Sequence, residues 1–190
     1  FEALIRLGAE LLLKGKVDAS GGLKLECRLY DVKKRKEIFG KAYKGEKKLL
    51  RKMAHRISDD IVQRLTGEKG IAGTRIAFVS NSSGHKEICV MGCDGYNPAR
   101  ITLESCLATV PSWLPDGNRI AYTTYREGNP DLCVKNVDTG ELIRLCTFQG
   151  LNYGAAWSPS GKWYALALTR DGDAEIYIIR SDGKKKKRLT

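Results

Sequence analysis

Trp113-Leu114-Pro115-Asp116-Gly117 recurs as Trp157-Ser158-Pro159-Ser160-Gly161, 44 residues further on. Proline presets φ and glycine accepts positive φ, so Pro-Asp-Gly and Pro-Ser-Gly are turn chemistry. The same step of 44 carries Arg75-Ile76-Ala77-Phe78 onto Arg119-Ile120-Ala121-Tyr122. It carries Glu87-Ile88-Cys89-Val90 onto Asp131-Leu132-Cys133-Val134, and then onto Glu175-Ile176-Tyr177-Ile178. Asp94, Asp138 and Asp182 share the register, as do Arg100-Ile101, Arg144-Leu145 and Arg188-Leu189. An ungapped period of this length, held by several independent anchors, marks a repeat architecture.

Each repeat reads as short strands between turns. Ile76 to Val79 is one β-rich run and Glu87 to Met91 a second. Arg100 to Thr102 is read as a third, outer strand, and the residues before each tryptophan supply the remaining one. Four strands in about 40–45 residues is the size of a propeller blade. The repeats are set at 74–112, 113–156 and 157–190, and the first lacks its innermost strand. Known propellers close with about 4–8 blades. Three blades cannot close such a ring, so the expectation is an incomplete propeller that continues past Thr190.

Residues 1–70 carry no such repeat and read as a separate α+β domain. A helix is expected over Phe1 to Leu7 and a strand over Glu10 to Val17. Leu23, Leu25, Cys27 and Leu29 alternate with Lys24, Glu26, Arg28 and Tyr30, a half-buried strand of period two. Lys36 to Tyr43 is a third strand. Leu49, Leu50, Met53, Ala54, Ile57, Ile61 and Leu65 then trace one helical face, which Gly67 terminates. Gly70 to Gly73 is read as the linker. The fold class is thus an α+β N-terminal domain followed by all-β propeller blades.

The net charge is +11 and uneven: residues 1–72 hold 18 Lys/Arg against 10 Asp/Glu, residues 73–190 hold 15 against 12. The cations at Lys33 to Lys36 sit in a turn, and those at Lys47, Lys48, Arg51, Lys52 and Arg56 on the polar face of the helix. They read as solvated surface, and no aromatic stacking pattern accompanies them, so no nucleic-acid partner is expected. No apolar run approaches the roughly 18 residues of a membrane span. The six cysteines form no C-x-x-C. Cys89 and Cys93 would lie ~13 Å apart on an extended strand, too far to bridge. No disulfide is expected to be needed for folding, and no cofactor or metal site is expected.

The order of these pieces resembles the TolB family. Gly8-Ala9-Glu10 with Gly15-Lys16-Val17, then Arg28-Leu29-Tyr30-Asp31-Val32, looks like the end of that family's N-terminal domain. Ala54-His55-Arg56-Ile57 through Leu65-Thr66-Gly67 looks like its last helix, and Thr74-Arg75-Ile76-Ala77-Phe78-Val79-Ser80 like the entry to its first blade. The resemblance implies a non-enzymatic periplasmic scaffold of the Tol–Pal cell-envelope system, and about three more blades, six in all. Its implied partners are a peptidoglycan-associated lipoprotein (Pal-like), docked at the propeller mouth, and other Tol envelope proteins. Six cysteines are many for a periplasmic protein of this kind.

No catalytic constellation stands out. There is no G-x-S-x-G elbow, no phosphate loop and no H-E-x-x-H helix. His55 reads as a surface histidine opposite the apolar stripe, and His85 as a turn residue. Asp94, Asp116, Asp138 and Asp182 recur at turns, where a carboxylate caps backbone N–H groups more readily than it binds calcium. Cys89, Cys133 and Tyr177 are equivalent packing positions, Cys27 is core, Trp113 and Trp157 open blades and pack there, and Trp163 is exposed. The candidate partner surface is the pair of loops entering blades two and three: Thr109 and Val110 in the first, Leu151, Asn152 and Tyr153 in the second. Two rival readings remain open: the propeller of a prolyl-oligopeptidase-like serine peptidase, and a solute-binding propeller.

Overall fold

The computed structural model describes residues 1–190, which divide into two compact units, Phe1–Thr74 and Arg75–Thr190.

The first unit runs α1 (Glu2–Arg6), β1 (Leu11–Asp18), β2 (Leu23–Asp31), β3 (Lys36–Gly45), a 3-10 turn (Lys47–Leu49) and α2 (Leu50–Thr66). The strands form an antiparallel sheet in the order β1-β2-β3. The alternation along β2 decides which face is covered. Leu23, Leu25 and Cys27 are buried together with Tyr43 and Met53, with Phe39, Leu49, Ile57 and Ile61 packed against them. Fully burying one such side chain contributes about 1.5–3 kcal/mol. Gly67 takes φ 79° and its N–H bonds to the Gln63 carbonyl, which ends α2. The apolar face of α2 is narrower than its sequence suggests: Leu50 and Leu65 are exposed, as is Ala54. Met53, Ile57 and Ile61 line up at spacings of four, whereas Ala54 lies about 100° round the helix from Met53. Leu11, Leu13 and Val17 of the edge strand β1 stay exposed because α2 packs on β2 and β3.

Residues 70–73 are not a free linker. Asp59 of α2 accepts the N–H of Ala72 at 2.7 Å and of Gly73 at 3.2 Å, and Gly70 is buried against it.

The second unit holds three antiparallel sheets. The first is β4 (Arg75–Ser80), β5 (Glu87–Gly92) and β6 (Ala99–Arg100). The second is β7 (Ala108–Trp113), β8 (Arg119–Thr124), β9 (Asp131–Asn136) and β10 (Leu142–Cys146). The third is β11 (Asn152–Trp157), β12 (Trp163–Leu168), β13 (Glu175–Arg180) and β14 (Lys186–Arg188). Phasing the repeats on tryptophan cuts the second and third sheets, because β7 and β11 pair with the strands that follow them. Each tryptophan therefore closes an inner strand. Trp113 and Trp157 do pack against the cores, and Trp163 is half-buried, not exposed. The outer strand of the first sheet stops at Arg100, since Thr102 turns inward to bond Glu87.

Sheets pack face to face. Ile88 and Val90 of the first meet Ala108, Ile120, Tyr122 and Cys133 of the second. The second turns Ala121, Leu132, Val134 and Cys146 to Tyr164, Leu166, Leu168, Tyr177 and Ile179 of the third.

The repeated polar anchors prove to be braces. Asp131 accepts from Arg144 at 2.6 Å, and 44 residues on Glu175 pairs with Arg188. Glu87 is held instead by Thr102 and by the Ser105 N–H. Asp116 caps the Asn118 and Arg119 amides, Asp94 the Tyr96 amide and Asp182 the Lys184 amide. Asp138 is the exception: Asn136 caps that turn, and Asp138 pairs with Arg75 at 3.3 Å.

Gly70→Ala would set a methyl 2.5 Å from the Asp59 Cα. We expect it to destabilise the first unit by about 1–3 kcal/mol. Gly73→Ala, with ordinary contact at 3.5 Å, is expected to be far milder in the same urea titration.

Candidate functional site

The two segments read as mouth loops are strands. Thr109 and Val110 lie in β7, and Asn152 and Tyr153 in β11, with only Leu151 before it. Both strands carry a bulge at the same repeat position, between Thr109 and Ser112 and between Tyr153 and Ala156. The bulge demands a left-handed residue, and the third sheet uses Gly154 at φ 66°. The second uses Val110 at φ 51°, an outlying conformation for a β-branched side chain. A Cβ on Gly154 would lie 3.6 Å from Val110 Cγ1, so the valine packs over the glycine of the neighbouring strand. Thr123 ties the two sheets together: its hydroxyl donates to the Asn152 carbonyl at 3.0 Å and accepts the Gly154 N–H at 3.2 Å.

Asn152 is not a contact residue. It is fully buried, and its amide nitrogen donates to the carbonyls of Phe148 (2.7 Å), Pro130 (3.0 Å) and Gly150 (3.1 Å). Its oxygen accepts the Phe148 N–H at 3.0 Å and the Cys146 thiol at 3.2 Å. Asn129 supports the same turn by accepting the Gly150 N–H at 3.0 Å. Glycines and an amide give 150–154 the composition of a loop, while the partners that hold Asn152 lie up to 29 residues away. Leu151, Thr109 and Val110 are half-buried. Tyr153 is 38% exposed, the most accessible large side chain of the set.

A cleft of about 230 Å³ that sequence reasoning missed lies on the second sheet, lined by Glu104, Thr124, Arg126, Asp131, Cys133 and Arg144, among others. Glu104 accepts from Tyr122 (2.9 Å), Thr124 (2.6 Å) and the Cys106 thiol (3.8 Å). The cleft thiol is not activated, because burial, with Glu104 and Asp131 nearby, pushes Cys133 up to about 11. Burial likewise pushes Cys146 to about 11 and raises Cys27 and Cys89. The six cysteines form no disulfide bond with one another. His55 is half-buried and His85 exposed.

These features define a class: stacked antiparallel sheets of three or four strands, two of them with bulged inner strands side by side, as in a β-propeller. The family described as the TolB beta propeller domain matches residues 62–190, and the chain belongs to that family. The Tol-Pal system protein TolB of Desulfosudis oleivorans is 46% identical over 112 residues, 58% of this chain and 26% of that protein. That of Geobacter sulfurreducens is 42% identical over 111 residues, with the same coverage of 58% and 26%. The chain thus spans about a quarter of the length of the curated relatives it matches. The crystal structure of TolB from Acinetobacter baumannii superimposes with a TM-score of 0.90 at 26% identity, covering 100% of this chain and 49% of that one. No helix is long and apolar enough to cross a membrane.

Asn152→Ala leaves several buried partners unpaired, each worth about 1–3 kcal/mol. A loss of at least ~3 kcal/mol in chemical denaturation is expected, against less than about 0.5 kcal/mol for the surface change Tyr153→Phe. Thiol alkylation at pH 8 is expected to modify only the half-buried Cys93 and Cys106 in the native chain. The other four should react only in denaturant, and mass spectrometry counts the adducts.

Proposed function

We propose that this chain is part of a non-enzymatic, periplasmic scaffold of a Tol–Pal system, one that docks a peptidoglycan-associated lipoprotein and serves outer-membrane integrity. Residues 1–70 form its α+β N-terminal domain, and the three sheets are the first blades of a six-bladed propeller that continues past Thr190.

The partner surface in this reading is the bulged edge formed by Tyr153, Leu151, Thr109 and Val110. The observation that carries it is the exposed Tyr153 ring on a strand made rigid from behind by Asn152 and Thr123. A fixed aromatic side chain loses little entropy on docking and is a common interface anchor. Val110 adds a strained backbone at the same edge, and such strain collects at functional positions. Asn152 leaves the contact set and becomes its support. The Tol-Pal names of the relatives supply the partner class.

The peptidase reading has a weaker footing. The dipeptidyl peptidase 4 of Porphyromonas gingivalis shares the fold at a TM-score of 0.52 with 14% identity. Relatives named TolB favour the scaffold.

In the intact protein, Tyr153→Ala is expected to weaken binding of the purified lipoprotein at least tenfold, about 1.4 kcal/mol, with an unchanged melting temperature. Calorimetric titration measures it. Unchanged affinity removes this edge from the site, and hydrolysis of a prolyl peptide substrate by the intact protein would favour the rival.

A further inference from the structure

The tract Lys184-Lys185-Lys186-Lys187-Arg188 lies at the β13–β14 turn and along β14, the outer edge of the third sheet, and all five residues are exposed. Arg188 is part of the repeated brace and pairs with Glu175. The four lysines are not part of it. Forty-four residues earlier their places are held by Gly140, Glu141, Leu142 and Ile143, and 44 before that by Tyr96, Asn97, Pro98 and Ala99. The blade therefore forms without lysine at these positions.

Edge protection does not account for them either. Lysine on an edge strand discourages pairing with other sheets, but β6 and β10 are the corresponding edges and contain no lysine. No acid forms a salt bridge with any of the four, and only Lys184 has a carboxylate, Asp182, close enough to act on its charge. The nearby acids are engaged elsewhere: Asp182 with Arg180, Asp171 with Arg170 and Tyr177, Glu175 with Arg188. The chain's other basic run behaves differently, since Lys33, Lys34 and Arg35 pair with Glu10, Asp31 and Glu2. Three cations of the earlier run are matched by acids, whereas no salt bridge pairs the later one, where Lys186 lies over the Phe148 ring.

We propose that Lys184–Lys187 form a docking surface for an anionic lipid bilayer. A row of long, flexible cations along a sheet's outer edge suits a flat array of phosphate headgroups, which needs no pocket. A single lysine at such a surface is worth roughly fivefold in partitioning. Nucleic acid fits less well, because single strands need aromatic rings on which bases stack. Phe148, the ring beside the tract, is already covered by Lys186 and Arg170, each 4.6 Å from its centroid. This inference is independent of the Tyr153 edge and of the lipoprotein.

The test is co-sedimentation of the 190-residue chain with vesicles of phosphatidylglycerol and phosphatidylethanolamine, and with phosphatidylcholine alone. Binding to the anionic vesicles only is expected, falling steeply between about 0.1 and 1 M salt as screening shortens. Replacing all four lysines (Lys184→Gln, Lys185→Gln, Lys186→Gln, Lys187→Gln) should lower partitioning at least tenfold. Removing the matched run (Lys33→Gln, Lys34→Gln, Arg35→Gln, Lys36→Gln) should lower it less than threefold. Circular dichroism checks both folds, and the pair Lys185→Gln, Lys187→Gln serves if the quadruple variant misfolds. Equal loss from both runs would reduce the effect to net charge and overturn the proposal, as would no binding to anionic vesicles. Tighter capture of a mixed-sequence single-stranded oligonucleotide, lost in the same variant, would overturn it in favour of nucleic acid. Competition by millimolar inorganic phosphate alone would point to a free-anion site and also overturn it.

Discussion

A sheet that is apolar on both faces must be covered on both. In β8, Ile120 and Tyr122 face one core while Ala121, between them, faces the other. In β9, Cys133 faces the first core, and Leu132 and Val134 the second. The middle sheet is thus a shared wall, and no single partner can bury it. This constraint explains why the repeat unit is not a domain by itself. Each sheet borrows half of its core from the next, so the units are stable only as an array.

The polar repeats follow from the same geometry. Strands that pack on both sides leave their charged residues only at the ends and outer edge, where Asp131 with Arg144 and Glu175 with Arg188 tie the outer strand down. Turn aspartates bind backbone N–H groups that no strand can reach. Conserving these positions within one chain needs no catalytic or metal-binding role, and the free, buried thiols agree with a packing role for Cys89 and Cys133.

Packing in such an array leaves some side chains over. On the inner side it leaves Tyr153, exposed on a strand whose reverse face is locked by Asn152. On the outer side it leaves lysines that the blade does not use. The first unit shows the opposite economy of contact: one helix covers two strands, and Asp59 at its side holds the chain that leads out.

The period of 44, the strand runs, the capping aspartates and the alternation of Leu23, Leu25, Cys27 and Leu29 were legible in the sequence, because each depends on neighbours a few residues away. The family resemblance was legible for the same reason, through short motifs in a fixed order. The tertiary structure alone decided the rest. It made Asn152 to Gly154 part of a bulged strand where composition suggests a loop, and it bonded Asn152 to Pro130, 22 residues back. It pinned residues 72 and 73 to Asp59, and turned Asp138 away from its own turn to Arg75. Hydrogen bonds between distant segments have no periodicity, and a side chain's burial depends on which neighbouring sheet arrives to cover it.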